Sequence, residues 1–428
     1  MAESIFGTDG IRGIYGKDLT EERAFALGYA LGRRGGVLIG RDNRPSSPSL
    51  AAATVAGVKA GGGEGRYLGL VTTPALYYIL TRTDFRYAVM ITASHNPPEH
   101  NGLKVFSREG KIGESARLEL ECDMREAPAQ PSSYPEAETD SSPLALYEDF
   151  FLKSVGSLKG ITLAVDFAGG AGYAFRDLLS RAGAHVIPLH LRERGDRING
   201  FCGALHPSIC AAETVKSGAD LGISLDGDGD RIIAANRRGE VMDGDAILFL
   251  LACRMKKAGS LRKDKVALTV MTNSGVLKSL SDRGIGALSC AVGDSAVCET
   301  MREEGLNLGG EQSGHLILGD LLMTGDGLLV GGVIAKSLLE EGDPTPMEIP
   351  VRYPQVLLNL PVRDKKVACD PLVQSLAASL KSDWSEGRIL VRASGTEEVV
   401  RIMTEHPNEE VARRAAEILR AEIEKRET

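Results

Sequence analysis

The sequence predicts an α/β protein built from three similar mixed α/β domains followed by a C-terminal α+β domain. Up to about residue 352, short apolar runs alternate with helical patterns, which is typical of βαβ units and a mostly parallel sheet. Beyond that point, consecutive strands are joined by a short loop, which indicates an antiparallel sheet with helices on one face. Hydrophobic residues make up 43% of the 428 residues, so the chain can bury a substantial core.

The elements follow this alternation in order along the chain. The predicted strands are 37–40 and 87–92, then 161–166, 185–189, 219–225 and 232–236, then 266–270, and finally 356–361, 388–391 and 399–404. The predicted helices are 49–60, 74–81, 243–253, 275–280, 372–380 and 409–424. A segment rich in Pro, Ser and Glu at 126–143 is the clearest linker. The expected domains are 1–143, 144–242, 243–352 and 353–428.

Composition excludes several classes of function. A net charge of −8 disfavours a nucleic-acid partner bound over a broad basic face. The sequence has no signal-peptide pattern at its N-terminus and no apolar run approaching the roughly 18 residues of a membrane span. Seven scattered cysteines without a CxxC pair are typical of reduced thiols in the cytoplasm. Glycine is enriched, at 50 residues, which suits loops whose backbone binds ligands.

Three aspartates follow an apolar run that ends at Leu225. Asp226, Asp228 and Asp230 alternate with glycines, so their carboxylates can converge on a hard cation such as Mg²⁺. Like charges this close repel one another unless a cation neutralises them. An EF-hand is excluded because Arg231 and Arg237 stand where that loop needs Gly and Glu.

A serine also follows a predicted strand, in the run Thr-Ala-Ser-His-Asn-Pro. Ser94, with His95 beside it and Lys104 ten residues on, is a candidate nucleophile or phosphate carrier. A hydrolase triad is disfavoured because no G-x-S-x-G surrounds the serine. A phosphoserine near the aspartates would supply a further oxygen ligand to the metal. An N-capping serine in a simple turn is the alternative.

Two more polar loops suggest ligand contacts. In the first, Glu311 and Ser313 suit sugar hydroxyls, and His315 suits proton transfer or phosphate contact. In the second, Arg392 precedes a serine, a glycine and a threonine, which together suit an anion nest. An ordinary turn remains the alternative for each loop. The sequence has no Walker A motif and no G-x-G-x-x-G, so nucleotide binding has no support.

These four loops, in this order and together with FGTDGIRG at 6–13, closely resemble the α-D-phosphohexomutase superfamily. CGALHPS (202–208), GADLGISLDGDGDR (218–231) and NLGGEQSGH (307–315) resemble the bacterial phosphoglucosamine mutases within it. The resemblance implies four domains around one central cleft, with an active-site phosphoserine at Ser94. The implied metal ligands are Ser94, Asp226, Asp228 and Asp230. The residues implied to line the catalytic centre are Arg12, His95, Lys104 and Arg231. The implied substrate contacts are Glu311, Ser313, His315, Arg392, Ser394, Gly395 and Thr396.

The resemblance also implies a reaction. Phosphoserine 94 would phosphorylate glucosamine 6-phosphate or glucosamine 1-phosphate, giving a hexosamine 1,6-bisphosphate that returns its other phosphoryl group to the serine. One Mg²⁺ per subunit, a phosphosugar substrate, a homodimer and a cytoplasmic role in making UDP-N-acetylglucosamine and peptidoglycan precursors are expected. Lys104 and His95 are both candidates for the base that deprotonates the attacking hydroxyl.

Three positions depart from the family pattern. Ser295 stands where an arginine is usual, which removes a cation near the cleft, and Ala393 and Glu398 stand where prolines are usual. Glu398 would weaken the phosphate nest by its charge. A phosphomannomutase or phosphoglucomutase is therefore the first alternative, and a non-catalytic sugar-phosphate-binding homologue is the second. A haloacid-dehalogenase-type mutase is excluded because Asp230 occupies the place of its Thr or Val.

Overall fold

The computed structural model describes residues 5–7, 10–131, 133–191, 195–341, 347–394 and 398–427. The chain divides into two compact units, the first formed by Met1–Val270 with Leu288–Met347, and the second by Met271–Ala287 with Glu348–Thr428. The described residues form four sheets. Three of them belong to the first unit, except for residues 286 and 287 of one strand, and the fourth belongs to the second unit. No helix among the described residues combines the length and the apolar character needed to cross a membrane. The four domain ranges given above stay a prediction.

The first sheet is mixed. Its strands are β1 (Ile11–Ile14), β2 (Val37–Arg41), β3 (Gly65–Leu70), β4 (Tyr87–Ile91), β5 (His100–Ser107) and β6 (Gly110–Lys111), in the order β1-β5-β4-β2-β3 with β6 beside β5. Its helices are α1 (Glu21–Gly32), α2 (Ser47–Ala60), α3 (Thr73–Thr81) and α4 (Glu114–Met124). Strand β2 is parallel to β3 and β4, but β5 is antiparallel to β1, β4 and β6. The expected mostly parallel sheet is therefore wrong here, because the loop from β4 to β5 is too short for a crossover helix.

The second sheet has the order β11-β10-β9-β7-β8. Its strands are β7 (Thr162–Asp166), β8 (His185–Leu189), β9 (Leu221–Leu225), β10 (Ile232–Asn236) and β11 (Val241–Met242), and its helices are α5 (Leu144–Val155), α6 (Leu178–Arg181) and α7 (Pro207–Ser217). Strands β8, β7 and β9 are parallel, whereas β10 returns antiparallel to β9. The carboxyl ends of the three parallel strands thus meet at one edge, and Asp226 begins the loop that leaves β9 there.

The third sheet has the order β13-β12-β14-β15. Its strands are β12 (Lys265–Thr269), β13 (Gly286–Cys290), β14 (Leu308–Gly310) and β15 (Leu316–Leu318), and helices α8 (Gly244–Lys257), α9 (Ser274–Asp282), α10 (Asp294–Glu304) and α11 (Gly327–Glu341) belong to this stretch of the chain. Of these helices, α9 lies in the second compact unit. Short 3₁₀ helices occur elsewhere at Ala171–Phe175, Gly195–Arg197, Gly203–Leu205, Arg262–Asp264 and Lys365–Cys369.

The second unit holds an antiparallel sheet in the order β16-β18-β17. Its elements are β16 (Gln355–Pro361), β17 (Arg388–Ala393), β18 (Val399–Glu405), α12 (Pro371–Ser382) and α13 (Glu409–Glu427). Val373 of α12 and Leu419 of α13 share one apolar core with Val400 and Ile402 of β18. The predicted fold class, mixed α/β sheets followed by an α+β domain, is confirmed.

The segment expected to be a linker packs against the first sheet and its helices. The ring of Tyr134 lies 5.8 Å from that of Phe25 on α1, and the backbone N–H of Asp140 donates to Tyr67 O over 2.8 Å. Thr139 forms a parallel bridge with Tyr67. A composition rich in Pro and Ser disfavours helix and strand, but it does not prevent the segment from packing its one tyrosine, half-buried, against the core.

Candidate active site

Ser94 lies in the loop after β4 in a strained, buried conformation. Its φ is +52°, a left-handed value that is uncommon outside glycine and persists where the surroundings fix it. Its hydroxyl donates a 2.7 Å hydrogen bond to Asp226 Oδ2, and His95 Nδ1 lies 3.4 Å from Ser94 Oγ. The serine and one aspartate of the predicted metal loop, 132 residues apart, are therefore in direct contact.

A buried arginine holds the backbone of this loop. The Arg44 guanidinium donates to the carbonyl oxygens of Ser94 at 2.9 Å and Asn96 at 2.8 Å, and it also pairs with Asp42 at 2.8 Å. Both side chains of that ion pair are fully buried. From the other side, Asn199 Nδ2 donates to Ser94 O over 2.8 Å. Asp42, Arg44 and Asn199 were not among the predicted site residues, although two opposite charges directly after a buried strand are a recognisable signal.

We expect Arg44→Met to destabilise the protein by about 3–5 kcal/mol, because it leaves Asp42 buried without its partner. Urea unfolding measured at pH 7 gives the free energy of unfolding of each variant. The control is Arg413→Met, which removes an exposed pair with Glu409 on α13 and should cost less than about 1 kcal/mol. Equal losses for the two variants would contradict a special role for the buried pair.

The three aspartates occupy the tight loop between β9 and β10. Their side chains are buried, and one oxygen of each lies within 4.8 Å of the others. Gly229 has a φ of +73°, which glycine adopts without strain. A Cβ at Gly227 would lie 2.6 Å from Ser94 O, so the serine loop and the aspartate loop approach too closely for any other residue. These two glycines permit the contact between Ser94 and Asp226.

The electrostatics of the aspartates suit a bound cation. Burial, followed by the Asp230 and Asp228 carboxylates, raises the pKa of Asp226 well above its ordinary value. Oxygens Oδ1 of Asp228 and Asp230 are buried and accept no hydrogen bond from the described residues. Unsatisfied carboxylate oxygens in a buried triad are the donors that a divalent hard cation requires. The residues present therefore fit a metal ion.

Lys104 of β5 supplies one positive charge to this cluster. Its ammonium is buried, 2.7 Å from Asp228 Oδ2 and 3.3 Å from Asp230 Oδ2. Although burial alone would raise the pKa of Asp230, the Lys104 ammonium and His315 hold it well below its usual range. Thr73, at the start of α3, donates its hydroxyl to Asp228 Oδ2 over 2.5 Å, a contact that sequence analysis did not foresee.

The charges of two arginines, Arg231 and Arg12, act on His95 beside Ser94. Arg231 follows the last aspartate, and its backbone N–H donates to Asp226 Oδ1 over 3.2 Å. Arg12 lies on β1 opposite Gly102 of β5. Burial, then the charges of Arg231 and Arg12, lowers the pKa of His95 to about 4, so its imidazole is neutral at pH 7. A neutral imidazole beside Ser94 can accept a proton.

The loop that contains Glu311, Ser313 and His315 is a tight turn between β14 and β15. Gly314 accepts a 3.0 Å hydrogen bond from the backbone N–H of Ile232 at the start of β10, which places the turn beside the aspartate loop. Glu311 Oε1 accepts from Gly293 N at 3.0 Å, and Ser313 is exposed. His315 Nδ1 lies 3.7 Å from Asp230 Oδ2. His315 Nε2 accepts from Gly325 N, so the proton of a neutral ring lies on Nδ1 and points toward Asp230.

The buried carboxylate of Asp326 lies between Gly325 and the start of α11. It accepts hydrogen bonds from Leu329 N at 3.0 Å and from the Tyr147 hydroxyl at 2.7 Å. Burial raises the pKa of Asp326 to about 6 from a reference value of 3.8. The folded state therefore binds this proton more tightly than the unfolded state, so the group favours folding at acid pH. Its contribution is lost as pH rises from about 4 through about 6.

We expect Asp326→Asn to be more stable than the parent protein at pH 7.5, by up to about 3 kcal/mol, and to lose this advantage near pH 4. Asparagine keeps the oxygen that caps α11 but carries no charge. Urea unfolding at pH 4.5, 6 and 7.5 gives the free energy of unfolding of both proteins. The difference between the two free energies at each pH isolates the titration of Asp326 from that of the other groups. A difference that does not change with pH would show that Asp326 does not titrate in this range.

The second unit contains part of the predicted phosphate loop. Arg392 is exposed on β17, directly opposite Arg401 of β18, so two cations face each other across the strands, an arrangement that an anion would relieve. Ser394 is buried, and its backbone N–H donates to Val399 O over 2.9 Å. Gly395 and Thr396 lie outside the described residues. The carboxylate of Glu398 is 3.0 Å from Lys365 Nζ, which offsets the negative charge that this departure introduces.

Three family models match the chain. They are described as phosphoglucomutase/phosphomannomutase alpha/beta/alpha domain I, over residues 3–130, alpha/beta/alpha domain III, over 243–349, and the C-terminal domain, over 357–422. A relative from Natranaerobius thermophilus, named phosphoglucosamine mutase, is 37% identical and covers 98% of this chain and 99% of its own. The similarity thus extends over nearly the whole length of both proteins.

Solved structures agree in fold. A phosphoglucomutase/phosphomannomutase family protein from Burkholderia thailandensis superposes with a TM-score of 0.83 at 25% identity, covering 98% of this chain and 97% of its own. The N-acetylphosphoglucosamine mutase of Aspergillus fumigatus, solved in complex with GlcNAc-6P and magnesium, gives a TM-score of 0.67 at 18% identity, covering 99% and 96%. At that identity the second structure shows the fold alone.

Proposed function

This chain belongs to the phosphoglucosamine mutase family of the α-D-phosphohexomutase superfamily, and from that premise we propose that it interconverts glucosamine 6-phosphate and glucosamine 1-phosphate. The observation that supports a mutase most strongly is the contact between Ser94 Oγ and Asp226 inside a buried, cation-demanding triad. A serine that carries a phosphoryl group needs such a site, because the transferred group is itself strongly anionic.

Ser94 is the phosphoryl carrier in this proposal. The bond between phosphorus and Ser94 Oγ breaks as a bond forms from phosphorus to the free 1- or 6-oxygen of the substrate. The proton of that hydroxyl passes to a basic side chain of the site, and the departing Ser94 Oγ takes up one proton to become a hydroxyl again. The product is a hexosamine 1,6-bisphosphate, which reorients and returns its other phosphoryl group to Ser94 Oγ. Each transfer exchanges one phosphate ester for another, so no external phosphate or oxidant is consumed.

The surrounding charges serve this transfer. Asp226, Asp228 and Asp230 would hold one Mg²⁺, with an oxygen of the Ser94 phosphate as a further ligand. When bound, the cation neutralises charge that develops on the phosphoryl oxygens. Lys104, Arg12 and Arg231 supply fixed positive charge around Ser94, which lowers the electrostatic cost of bringing a second phosphorylated molecule there.

The sugar and its distal phosphate are assigned to the remaining predicted residues. Glu311 and Ser313 read sugar hydroxyls, and His315 contributes a ring N–H beside Asp230. Arg392, Ser394, Gly395 and Thr396 bind the phosphate that does not react. The facing pair Arg392 and Arg401 supports the second assignment, because two guanidinium groups suit one phosphate.

His95 is the better candidate for the base. Its pKa of about 4 keeps the ring unprotonated at pH 7, whereas Lys104 is engaged by two carboxylates and acts as a fixed cation. We expect His95→Gln to lower kcat about 100-fold with little change in KM. The control is His185→Gln, an exposed histidine at the start of β8, which should keep full activity. If His95→Gln keeps kcat within a few-fold of the parent, the base is another group.

The substrate is tested by parallel turnover of glucosamine, mannose and glucose phosphates. We expect the highest kcat/KM for the glucosamine phosphates, and a clear preference for mannose or glucose 1-phosphate would contradict the proposal. Intact mass with peptide mapping over residues 87–108 should find one phosphate, on Ser94. A serine that stays unmodified after incubation with hexosamine bisphosphate and Mg²⁺ would favour a non-catalytic binding protein.

A homodimer and a cytoplasmic location complete the proposal. The seven cysteines, none of them in a disulfide, suit a reducing compartment. Light scattering after size-exclusion chromatography tests the oligomeric state, and cell fractionation tests the location.

A further inference from the structure

A second cluster of metal-ligating side chains lies in the second sheet region and shares no residue with the aspartate triad. Asp166 ends β7, His190 follows β8, and Cys202 directly precedes the short helix Gly203–Leu205. One ligand atom of each lies within 4.8 Å of the other two, and His190 Nδ1 is 3.0 Å from Asp166 Oδ2. Asp166 and Cys202 are buried, and His190 is half-buried. The proposed function uses none of the three.

We propose that Asp166, His190 and Cys202 bind a zinc-class transition-metal dication. Thiolate, imidazole and carboxylate are the ligands that Zn²⁺ takes in proteins, and Mg²⁺ disfavours the first two. Ligand atoms that share one tetrahedral zinc are about 3.3–3.6 Å apart, so the observed spacing requires only small side-chain adjustments. On binding, the Cys202 thiol releases its proton to solvent. Thiolate and carboxylate then balance the charge of the ion, which matters because two of the three ligands are buried.

The carboxylate is already oriented for this role. Asp166 Oδ1 accepts from Ala168 N and Oδ2 from Gly203 N, each over 2.9 Å. Each oxygen therefore keeps a lone pair, and the backbone supplies the orienting contacts that metal-bound carboxylates usually have. His190 Nδ1 is buried and makes no directed hydrogen bond to the described residues, although Asp166 is close. Two ligands of one metal ion lie close together without a hydrogen bond between them, and His190 and Asp166 have this arrangement.

The site would support the serine loop. Asn199, three residues before Cys202, donates from Nδ2 to Ser94 O at 2.8 Å and Asn96 O at 3.2 Å. Its own N–H donates to Ala168 O over 3.1 Å, and its φ of +60° needs surroundings that fix it. A metal that joins Cys202 to β7 and β8 would fix this segment. It would therefore act as a structural ion that holds Asn199 against the backbone of Ser94.

The test uses Co²⁺ as a spectroscopic probe on the full chain. Protein is stripped with chelator and kept reduced, and excess Mg²⁺ is present throughout to occupy the aspartate triad. Co²⁺ is then added, followed by Zn²⁺ as a competitor. We expect a thiolate-to-cobalt charge-transfer band in the near ultraviolet at one ion per chain, which Zn²⁺ abolishes. The aspartate triad has no thiolate and cannot give this band, so the signal reports on the second cluster alone. Because the readout is spectroscopic, it does not depend on mutase activity.

Three variants make the assignment. Cys202→Ser should lose the band, and His190→Gln should keep a folded protein with metal affinity reduced roughly tenfold or more. Cys210→Ser, which changes a buried thiol of the same domain outside the cluster, should keep the band. Absence of the band in the parent protein, or its persistence in Cys202→Ser, would overturn the proposal. Circular dichroism of each variant shows whether a lost band reflects unfolding. If Cys202→Ser proves to be unfolded, the metal affinity of His190→Gln decides whether the cluster binds the ion.

Discussion

Replacing Ser94 by alanine is expected to lower kcat by about 10⁴-fold, because the proposed mechanism passes each phosphoryl group through the Ser94 hydroxyl. The change removes one hydroxyl whose main contact is the 2.7 Å bond to Asp226. Fold and substrate binding should therefore survive. Mutase turnover, measured with hexosamine 1,6-bisphosphate present as activator, gives kcat, and substrate affinity is measured separately by calorimetry.

A matched control for Ser94→Ala is Ser224→Ala. Ser224 is also a buried serine, on β9 two residues before Asp226, and its side chain is hydrogen-bonded to Cys210. It should keep kcat within a few-fold of the parent. Full activity in Ser94→Ala would remove the phosphoserine from the mechanism. A complete loss in both variants would show that the effect is a packing defect.

Replacing Asp228 by asparagine is expected to lower kcat by about 10³-fold and to raise the Mg²⁺ concentration needed for half-maximal activity. The substitution keeps the shape of the side chain but removes one of the three carboxylate charges. It also removes the closest charge partner of Lys104, at 2.7 Å. Mg²⁺ activation curves at fixed substrate concentration measure both effects, and chelation of the parent protein should reproduce the loss of activity.

The control for Asp228→Asn is Asp220→Asn. Asp220 lies just before β9 and accepts from Thr162 N over 2.9 Å, so it tests the loss of a carboxylate in the same domain outside the triad. Its Mg²⁺ activation curve should match that of the parent. An unchanged curve for Asp228→Asn would mean that the metal binds elsewhere.

The alternation of apolar runs and helical patterns was sufficient to predict the fold class. It failed for the direction of β5, because the pattern records that a strand is buried and not which neighbour it joins. The 126–143 segment shows a similar limit. Its composition correctly predicts irregular backbone, but the contact between Tyr134 and Phe25 depends on where α1 lies.

The sequence by itself determined the groups that are close along the chain. Asp226, Asp228 and Asp230 converge because two glycines let a short loop curl, and the local spacing alone requires this. Only the tertiary structure decided which distant groups meet them. Thr73 reaches Asp228 across 155 residues, Asn199 reaches Ser94 across 105, and Arg44 reaches Ser94 across 50. These contacts arise from strand order and loop packing, which local spacing does not encode. The same is true of the contact between Ser94 and Asp226 and of the cluster of Asp166, His190 and Cys202.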